Sequence, residues 1–324
     1  MYYTLAMTEP RAASATASPP HAPERGWSWR LLGPFHVTGL FWYRFHRFIM
    51  RTVPSPLLWV LAPIFNTFFF ISLRKIRVAI ASNLEPVLGP CGWWERQRRI
   101  YKTMWSFGWC LNERYERLVT KRPFHMEPEA IEHWNEVAQP GKGLLLVTAH
   151  LGNFEVGSME PAQMDRRVHL VREQEVDAES QAYFQNLLAG FTQERYTMHF
   201  QGDDPLHGVV LLDALRRGEI LAVQGDRPRA GGKSIDATLF GRPFPLPPGP
   251  AALARTAEVP ILPVFVFREG RRRYRVAFRP SIRAPRTNDR AADLTATMQQ
   301  VAAEIEWAIR RAPHQWFCFK RLWP

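Results

Sequence analysis

One short stretch of the sequence brings together residue types that can perform acid–base chemistry. The segment TAHLGNFE, residues 148–155, follows the apolar run GLLLV and places His150 at the end of a predicted buried strand. Glu155 comes five residues later, after Gly152 and Asn153, which can turn the chain. A carboxylate bonded to one imidazole nitrogen fixes the tautomer, so that the other nitrogen can take a proton from a hydroxyl. The alternative is a histidine in a polar loop and a glutamate that favours the helix dipole.

The two side chains can meet only if His150 lies on the turn itself. In a continuous helix, positions five apart point about 140° away from each other. Glu155 must therefore lie in the first turn of the following helix and reach back to the imidazole. Spacing leaves both interpretations open, because H-x4-E is a short pattern.

The elements that must position this stretch are strands that alternate with helices. Near-continuous apolar strands of this kind are typical of a mostly parallel sheet with both faces covered by helices, which is the fold class that we expect. In such a sheet ligands bind beyond the carboxyl ends of the strands, where His150 lies. The predicted strands are 143–149, 167–171, 219–224, 261–267 and 274–278, and the predicted helices are 93–119, one beginning near Gly152, 209–218, 251–258 and 292–311.

The N-terminal part of the chain is rich in aromatic residues and arginine. The whole protein has 324 residues, a formal net charge of +12 and 12 tryptophans. That balance favours acidic partners, and the crowding of tryptophan beside arginine favours a membrane surface. Residues 55–73 carry no charge and are long enough to cross a bilayer, although Pro56 and Pro63 interrupt them. They either span the membrane or lie in its interface, and a buried helix is the alternative.

Three regions follow from these patterns. Residues 1–26 are rich in Ala, Ser, Thr and Pro and lack the apolar core of a secretory signal, so they predict a disordered tail. Residues 27–120 predict a helical membrane-associating region and residues 121–324 the α/β domain. The three cysteines are widely spaced and odd in number, which predicts reduced thiols. We expect no metal site and no cofactor.

Other polar residues follow predicted strands and are candidate binding residues. Arg172 ends the second strand, where it can bind a phosphate bidentately or pair with Glu173 or Glu175. Asp226 and Arg227 follow the third strand. Asp226 there can orient Arg227 or a substrate hydroxyl, or can belong to an ordinary loop turn.

Basic residues are dense between positions 268 and 290. Nine arginines stand there against Glu269 and Asp289. Such a patch can dock an acidic carrier protein or phospholipid headgroups. Nucleic acid is not expected as a partner, because the sequence has no aromatic-basic platform or recognition-helix pattern.

Several blocks of the sequence together resemble a known family. H-x4-[DE] after a strand resembles the first motif of the glycerolipid acyltransferases, and the fuller text resembles one branch, the late acyltransferases of lipid A biosynthesis. The resemblance runs in order over about residues 35–324. The similar blocks are RKIRVAIASNL (74–84), TAHLGNFE, VHLVRE with Arg172, LLDALRRGEILAVQGDRP (211–228), the segment 239–270 and PHQWFCFKRLWP (313–324).

The resemblance implies transfer of an acyl chain from an acyl carrier protein or coenzyme A thioester to a hydroxyl of a membrane lipid. His150 would be the general base and Glu155 its orienting partner, in direct attack without an acyl-enzyme. The absence of a G-x-S-x-G elbow agrees with direct attack. Backbone N–H groups of Gly152 and Asn153 are candidate donors to the oxyanion. Arg172 would bind an acceptor phosphate.

The resemblance also implies a lipid A precursor as acceptor and a location on the cytoplasmic face of the bacterial inner membrane. The Pro-Glu-Gly block of the glycerolipid branch is replaced by GDRPRAGG (225–232), which argues against a simple glycerol-phosphate acceptor. Three alternatives stay open: another lysolipid acceptor, a hydrolase that releases the acyl chain to water, and a lipid-binding or carrier-binding protein without catalysis.

Overall fold

The computed structural model describes residues 40–155, 166–172, 179, 181–183, 196–200, 207–227 and 232–323. In this part of the chain, four helices are followed by a region of strands and helices. The helices are α1 (Leu40–Thr52), α2 (Ser55–Ser72), α3 (Arg74–Leu88), α4 (Trp93–Thr120), α5 (Ile131–Val137), α6 (His207–Arg216), α7 (Gly249–Ala257) and α8 (Arg290–Arg311). The strands are β1 (His125–Glu129), β2 (Leu144–Thr148), β3 (Val168–Arg172), β4 (Tyr196–Phe200), β5 (Ile220–Gln224), β6 (Ile235–Leu239), β7 (Arg242–Leu246), β8 (Ile261–Gly270) and β9 (Arg273–Phe278).

Seven of the described strands form one sheet in the order β1-β9-β8-β2-β5-β3-β4. Strands β8, β2, β5, β3 and β4 are parallel to one another. Strand β9 runs antiparallel to β8, and β1 pairs in parallel with β9. The predicted α/β class with a mostly parallel sheet is therefore confirmed, and β2 lies at the centre of the sheet with its carboxyl end leading to His150.

Alternate residues of the central strands pack into two apolar layers, one on each face of the sheet. Leu145 and Leu221 face the larger cluster, which also contains residues of α7 and α8 such as Ala251 and Ile305. Leu144 and its neighbours on the other face pack against α5. Because both faces are covered, the central strands are apolar at almost every position.

Strands β2, β3, β5, β8 and β9 lie where the apolar runs predict them, but β1, β4 and the β6–β7 hairpin were not predicted. Strand β4 is at the sheet edge and is half-buried throughout, so its sequence YTMHF lacks an apolar run. Strand β7 contains Pro243 and Pro245, which indicate a loop. Proline is tolerated there because β7 pairs with β6 alone.

Helix α2 coincides with the predicted uncharged segment and continues through Pro63. No single helix among the described residues has the length and hydropathy to cross a bilayer. One pair of helices that meet at 90° has sufficient length and hydropathy when the two are taken together: Leu57–Ser72 and Arg74–Leu88. One side of α2 exposes large apolar side chains at three- and four-residue intervals, and Trp93 and Trp94 are exposed at the start of α4. The side chains on α2 are Leu57, Val60, Ile64, Phe68 and Ile71.

The N-terminal helices are bonded to the α/β region through buried polar groups. Glu113 of α4 is 1% exposed and accepts two hydrogen bonds from Arg268, at 2.9 and 2.8 Å, and one from the hydroxyl of Tyr274. Burial, and then the nearby charge of Glu113, raise the pKa of Tyr274, so that this hydroxyl stays protonated. The boundary at residue 120 stays a prediction, but side chains on its two sides form one network. The helix expected near Gly152 is described only at Phe154 and Glu155, and the predicted tail 1–26 lies outside the described residues.

Candidate active site

The turn after β2 brings the chain back across the carboxyl end of the sheet. Gly152 has a φ of +60°, and a Cβ atom there would lie 1.9 Å from the carbonyl oxygen of Val266. Only glycine fits this backbone conformation and this close approach. The Gly152 N–H donates to the carbonyl of Gln315 at 2.8 Å. The turn is thus fixed between β8 and the chain after α8.

His150 lies on this turn and is held by Asp226. Its Nδ1 is 2.7 Å from Oδ1 of Asp226, and its backbone N–H donates to Oδ2 at 3.1 Å. Asp226 is fully buried, and it also accepts the indole N–H of Trp316 at 3.2 Å. Burial opposes ionisation, but the charge and hydrogen bonds of His150 and the charge of Arg227 outweigh it and hold the pKa of Asp226 below its ordinary value.

An ionised Asp226 can only accept hydrogen bonds, so Nδ1 of His150 must donate. Neutral imidazole then carries its lone pair on Nε2. About a quarter of the His150 side chain remains exposed, while its partner is fully enclosed. This arrangement gives a base of fixed orientation at the end of the central strand.

Glu155 is held by two arginines. Nη1 of Arg114, on α4, donates to Oε2, and Nη2 of Arg172, at the end of β3, lies 2.9 Å from Oε1. Burial opposes its ionisation, but Arg114 and then Arg172 hold the pKa of Glu155 below its ordinary value. The carboxylate therefore joins α4, the turn after β2 and the end of β3.

Asn153 anchors the same turn from inside. Its side chain is 4% exposed, and Nδ2 donates to the carbonyl of Cys110 at 2.9 Å and to the hydroxyl of Tyr274 at 3.0 Å. Because Tyr274 donates in turn to Glu113, the turn is connected to the buried network beneath α4.

The chain after α8, residues 315–323, here called the C-terminal segment, forms another wall of the site. The Phe317 N–H donates to the carbonyl of His150 at 2.8 Å, and Leu151 and Trp316 form an antiparallel bridge. Arg227 donates to the carbonyl of Phe317, and its Nε is 4.0 Å from Oδ2 of Asp226. The backbone of the turn after β2 is thus paired with the C-terminal segment.

The profile of the family described as bacterial lipid A biosynthesis acyltransferase matches residues 26–324. The chain belongs to this family. The lipid A acyltransferases move an acyl group to a lipid, and the protein is therefore an acyltransferase. Curated protein sequences include no match. A solved structure that resembles the chain is the 1-acyl-sn-glycerophosphate acyltransferase PlsC from Thermotoga maritima, at 10% identity and a TM-score of 0.37, covering 80% of this chain and 98% of that one.

Nδ1 of His150 is bonded to Asp226 and not to Glu155, which was the expected orienting partner. Among the described residues, the carboxylate of Glu155 is bonded to Arg114 and Arg172. The physical reason is that β2 and β5 are adjacent and parallel, so the residues after both strands meet at one edge. Asp226, which the sequence predicted to orient Arg227 or a hydroxyl, accepts the hydrogen bond from the imidazole instead.

Gly152 is also not available as predicted. Its N–H bonds to Gln315 and does not point to an oxyanion. The side chain of Asn153 is likewise used inside the protein, and the role of its backbone N–H stays a prediction. Arg172 pairs with Glu155. The alternative partners considered from the sequence, Glu173 and Glu175, lie outside the described residues.

Two residues of the site were not found by sequence reasoning. Trp316 belongs to the closing block QWF, but nothing in that block indicates contact with Asp226. Arg114 lies on α4 within an amphipathic pattern, and its charge is unremarkable among the many arginines of this region. A signal for it exists in the helix, since Cys110, Glu113 and Arg114 share one face at spacings of three and four residues.

Proposed function

We propose that this protein transfers an acyl chain from an acyl thioester to a hydroxyl of an anionic membrane lipid, a lipid A precursor or a related glycolipid. The observation that carries the proposal is the His150–Asp226 pair, which lies at the carboxyl end of the central strands in a member of an acyltransferase family. The thioester is that of an acyl carrier protein or of coenzyme A.

His150 acts as the general base in direct attack. Nε2 takes the proton of the acceptor hydroxyl as its oxygen bonds to the thioester carbonyl carbon, and Asp226 stabilises the imidazolium that forms. The tetrahedral intermediate collapses with loss of the C–S bond, and the imidazolium returns the proton to the leaving thiolate. An ester and a thiol are formed, and His150 is regenerated without an acyl-enzyme.

Arg172 is the proposed contact for an acceptor phosphate. Its Nη2 bonds to Glu155, and a guanidinium has five N–H donors, so the same side chain can bind a phosphate oxygen as well. Glu155 then has the role of fixing the guanidinium beside the base and not of activating the imidazole.

The exposed apolar side of α2 is the proposed membrane contact. Large apolar side chains on a surface mark protein or membrane interfaces, and exposed arginines and lysine flank them at Arg51, Arg74 and Lys75. Anionic headgroups would pair with these cations. This arrangement supports contact with an anionic membrane surface, and we propose the cytoplasmic face of the bacterial inner membrane, which is the location that the family resemblance implies.

The patch at 268–290 supports carrier docking less than its composition suggests. Six of its nine arginines form ion pairs with glutamates: Arg268, Arg271, Arg272, Arg275, Arg279 and Arg286. Among the described residues, Arg273, Arg283 and Arg290 have no ion pair and remain for an acidic partner.

A transfer assay in vesicles tests the function. The wild-type protein is incubated with acyl carrier protein or coenzyme A thioesters and with a lipid A precursor or a lysolipid, and the products are identified by mass spectrometry.

The variant His150→Ala tests the mechanism in the same assay. It should stay folded by circular dichroism, and its rate of acyl transfer should fall by ~10²–10⁴-fold, the range for a lost general base. Near-normal transfer by this variant would refute the mechanism. Free fatty acid without acceptor would indicate a hydrolase, and no thioester consumption a binding protein.

A further inference from the structure

Asn83 connects the N-terminal helices to the end of the chain. It lies on α3, is 2% exposed, and has every polar group of its amide bonded to the C-terminal segment. Nδ2 donates to the carbonyls of Cys318 at 3.1 Å and Lys320 at 2.8 Å, and Oδ1 accepts the N–H of Leu322 at 3.1 Å. Donors and an acceptor are both needed, so only an amide of this length fits the three partners.

The segment that Asn83 holds has little regular structure of its own. After the 3₁₀ turn Pro313–Gln315, the described residues have no helix or extended strand pairing beyond the bridge to Leu151. Its path is therefore set by side chains. Asn83 fixes the middle, and Trp323 fixes the far end through its indole N–H, which donates to the carbonyl of Pro243 at 3.2 Å.

The near end of the same segment carries the contacts to the catalytic pair. Trp316 donates to Asp226, Phe317 donates to the carbonyl of His150, and the carbonyl of Phe317 accepts from Arg227. Cys318, which Asn83 binds, is the next residue along the chain. A shift of the segment at Cys318 must therefore move Trp316 and Phe317.

We propose that Asn83 is a positioning residue for acyl transfer: from α3 it fixes the C-terminal segment, and that segment holds His150 and Asp226 in register. This inference rests on the proposed function for its kinetic consequences. Helix α3 is the second member of the bent helix pair, so the region expected to associate with the membrane also completes the active site.

Asn83→Asp tests the contact with the smallest change of shape. The carboxylate would face the carbonyl oxygens of Cys318 and Lys320 and repel them. We expect kcat to fall by ~10- to 100-fold, as for an ångström-scale displacement of catalytic groups, with the KM of donor and acceptor within about twofold. Asn135→Asp, at an exposed position on α5, is the matched control and should have wild-type kcat. Vesicle flotation should be unchanged in both variants.

A spectroscopic measurement separates this role from a general loss of stability. In protein labelled with 5-fluorotryptophan, the ¹⁹F resonance of Trp316 is assigned from Trp316→Phe. Asn83→Asp should shift it, and the kcat losses of Asn83→Asp and Trp316→Phe should be less than additive in the double variant. Asn83→Ser, which keeps one donor and one acceptor, serves if Asn83→Asp does not fold, and should shift the same resonance.

An unchanged Trp316 resonance, or a kcat within twofold of wild type in a folded variant, would overturn the inference. The resonance distinguishes the two proposals. If the wild-type protein transfers no acyl group but Asn83→Asp still shifts Trp316, the proposed function fails while the positioning by Asn83 stands.

Discussion

Asp226 and Glu155 are two carboxylates of the same site, the first fully buried and the second part-buried, yet their surroundings differ in a way that separates two roles. Asp226 accepts hydrogen bonds from the imidazole, the backbone of His150 and the indole of Trp316. Glu155 is paired with Arg114 and Arg172. Burial opposes ionisation of both, and neighbouring cations lower the pKa of both. A lowered pKa alone therefore does not identify the carboxylate that serves the base; the partners do.

The strongest test of this comparison is Asp226→Asn. An amide at this position can present its NH2 group to Nδ1, which would leave the proton on Nε2 and remove the base. We expect kcat to fall by on the order of 10⁴-fold, as when an orienting aspartate of a catalytic histidine is replaced by asparagine. Asp213→Asn, at an exposed aspartate on α6, is the control and should leave kcat unchanged. A tenfold loss or less in Asp226→Asn would show that Asp226 does not fix the tautomer.

The matched change at the other carboxylate is Glu155→Gln. Two part-buried guanidiniums would lose their counterion, so the free energy of unfolding should fall by about 3 kcal/mol, as for breaking a buried ion pair. The KM for the acceptor should rise as Arg172 shifts, while kcat falls by only about tenfold. Thermal unfolding and saturation kinetics measure these effects, with exposed Glu132→Gln as control. A loss of kcat as large as that of Asp226→Asn would restore the sequence-based His150–Glu155 pair.

Acid provides the mildest test. Both carboxylates stay ionised in the folded protein because their pKa values are lowered. The unfolded chain protonates its carboxyl groups only below about pH 5, so neither carboxylate should weaken the fold between about pH 6.5 and about pH 5. Burial, and then the charges of Lys102, Arg98 and Arg99, lower the pKa of His314 from 6.5 to about 4. The unfolded chain takes up this proton first, so the free energy of unfolding should decrease across that window. His314→Gln should make this decrease smaller, as measured by urea unfolding at a series of pH values. If the free energy of unfolding of the variant falls with pH as steeply as that of the wild type, other groups cause the decrease.

Local sequence determined most of the fold. Apolar runs located β2, β3, β5, β8 and β9, because strands buried on both faces are apolar at nearly every position. The local sequence did not locate β4, because an edge strand can remain half-buried and polar. It did not locate the β6–β7 hairpin either, because proline is acceptable in a strand that has only one partner. The uncharged segment from Ser55 was correctly expected as an apolar helix, since length and composition suffice for that prediction.

The sequence by itself also determined that His150 ends a central strand and that Gly152 turns the chain, because both follow from residues adjacent in the chain. Only the tertiary structure decided which acid serves His150, because Asp226 is 76 residues away and reaches it through the parallel pairing of β2 with β5. The same is true of Trp316 and Asn83. Their partners lie in distant segments, and hydrogen-bond geometry between distant segments is not encoded in local spacing.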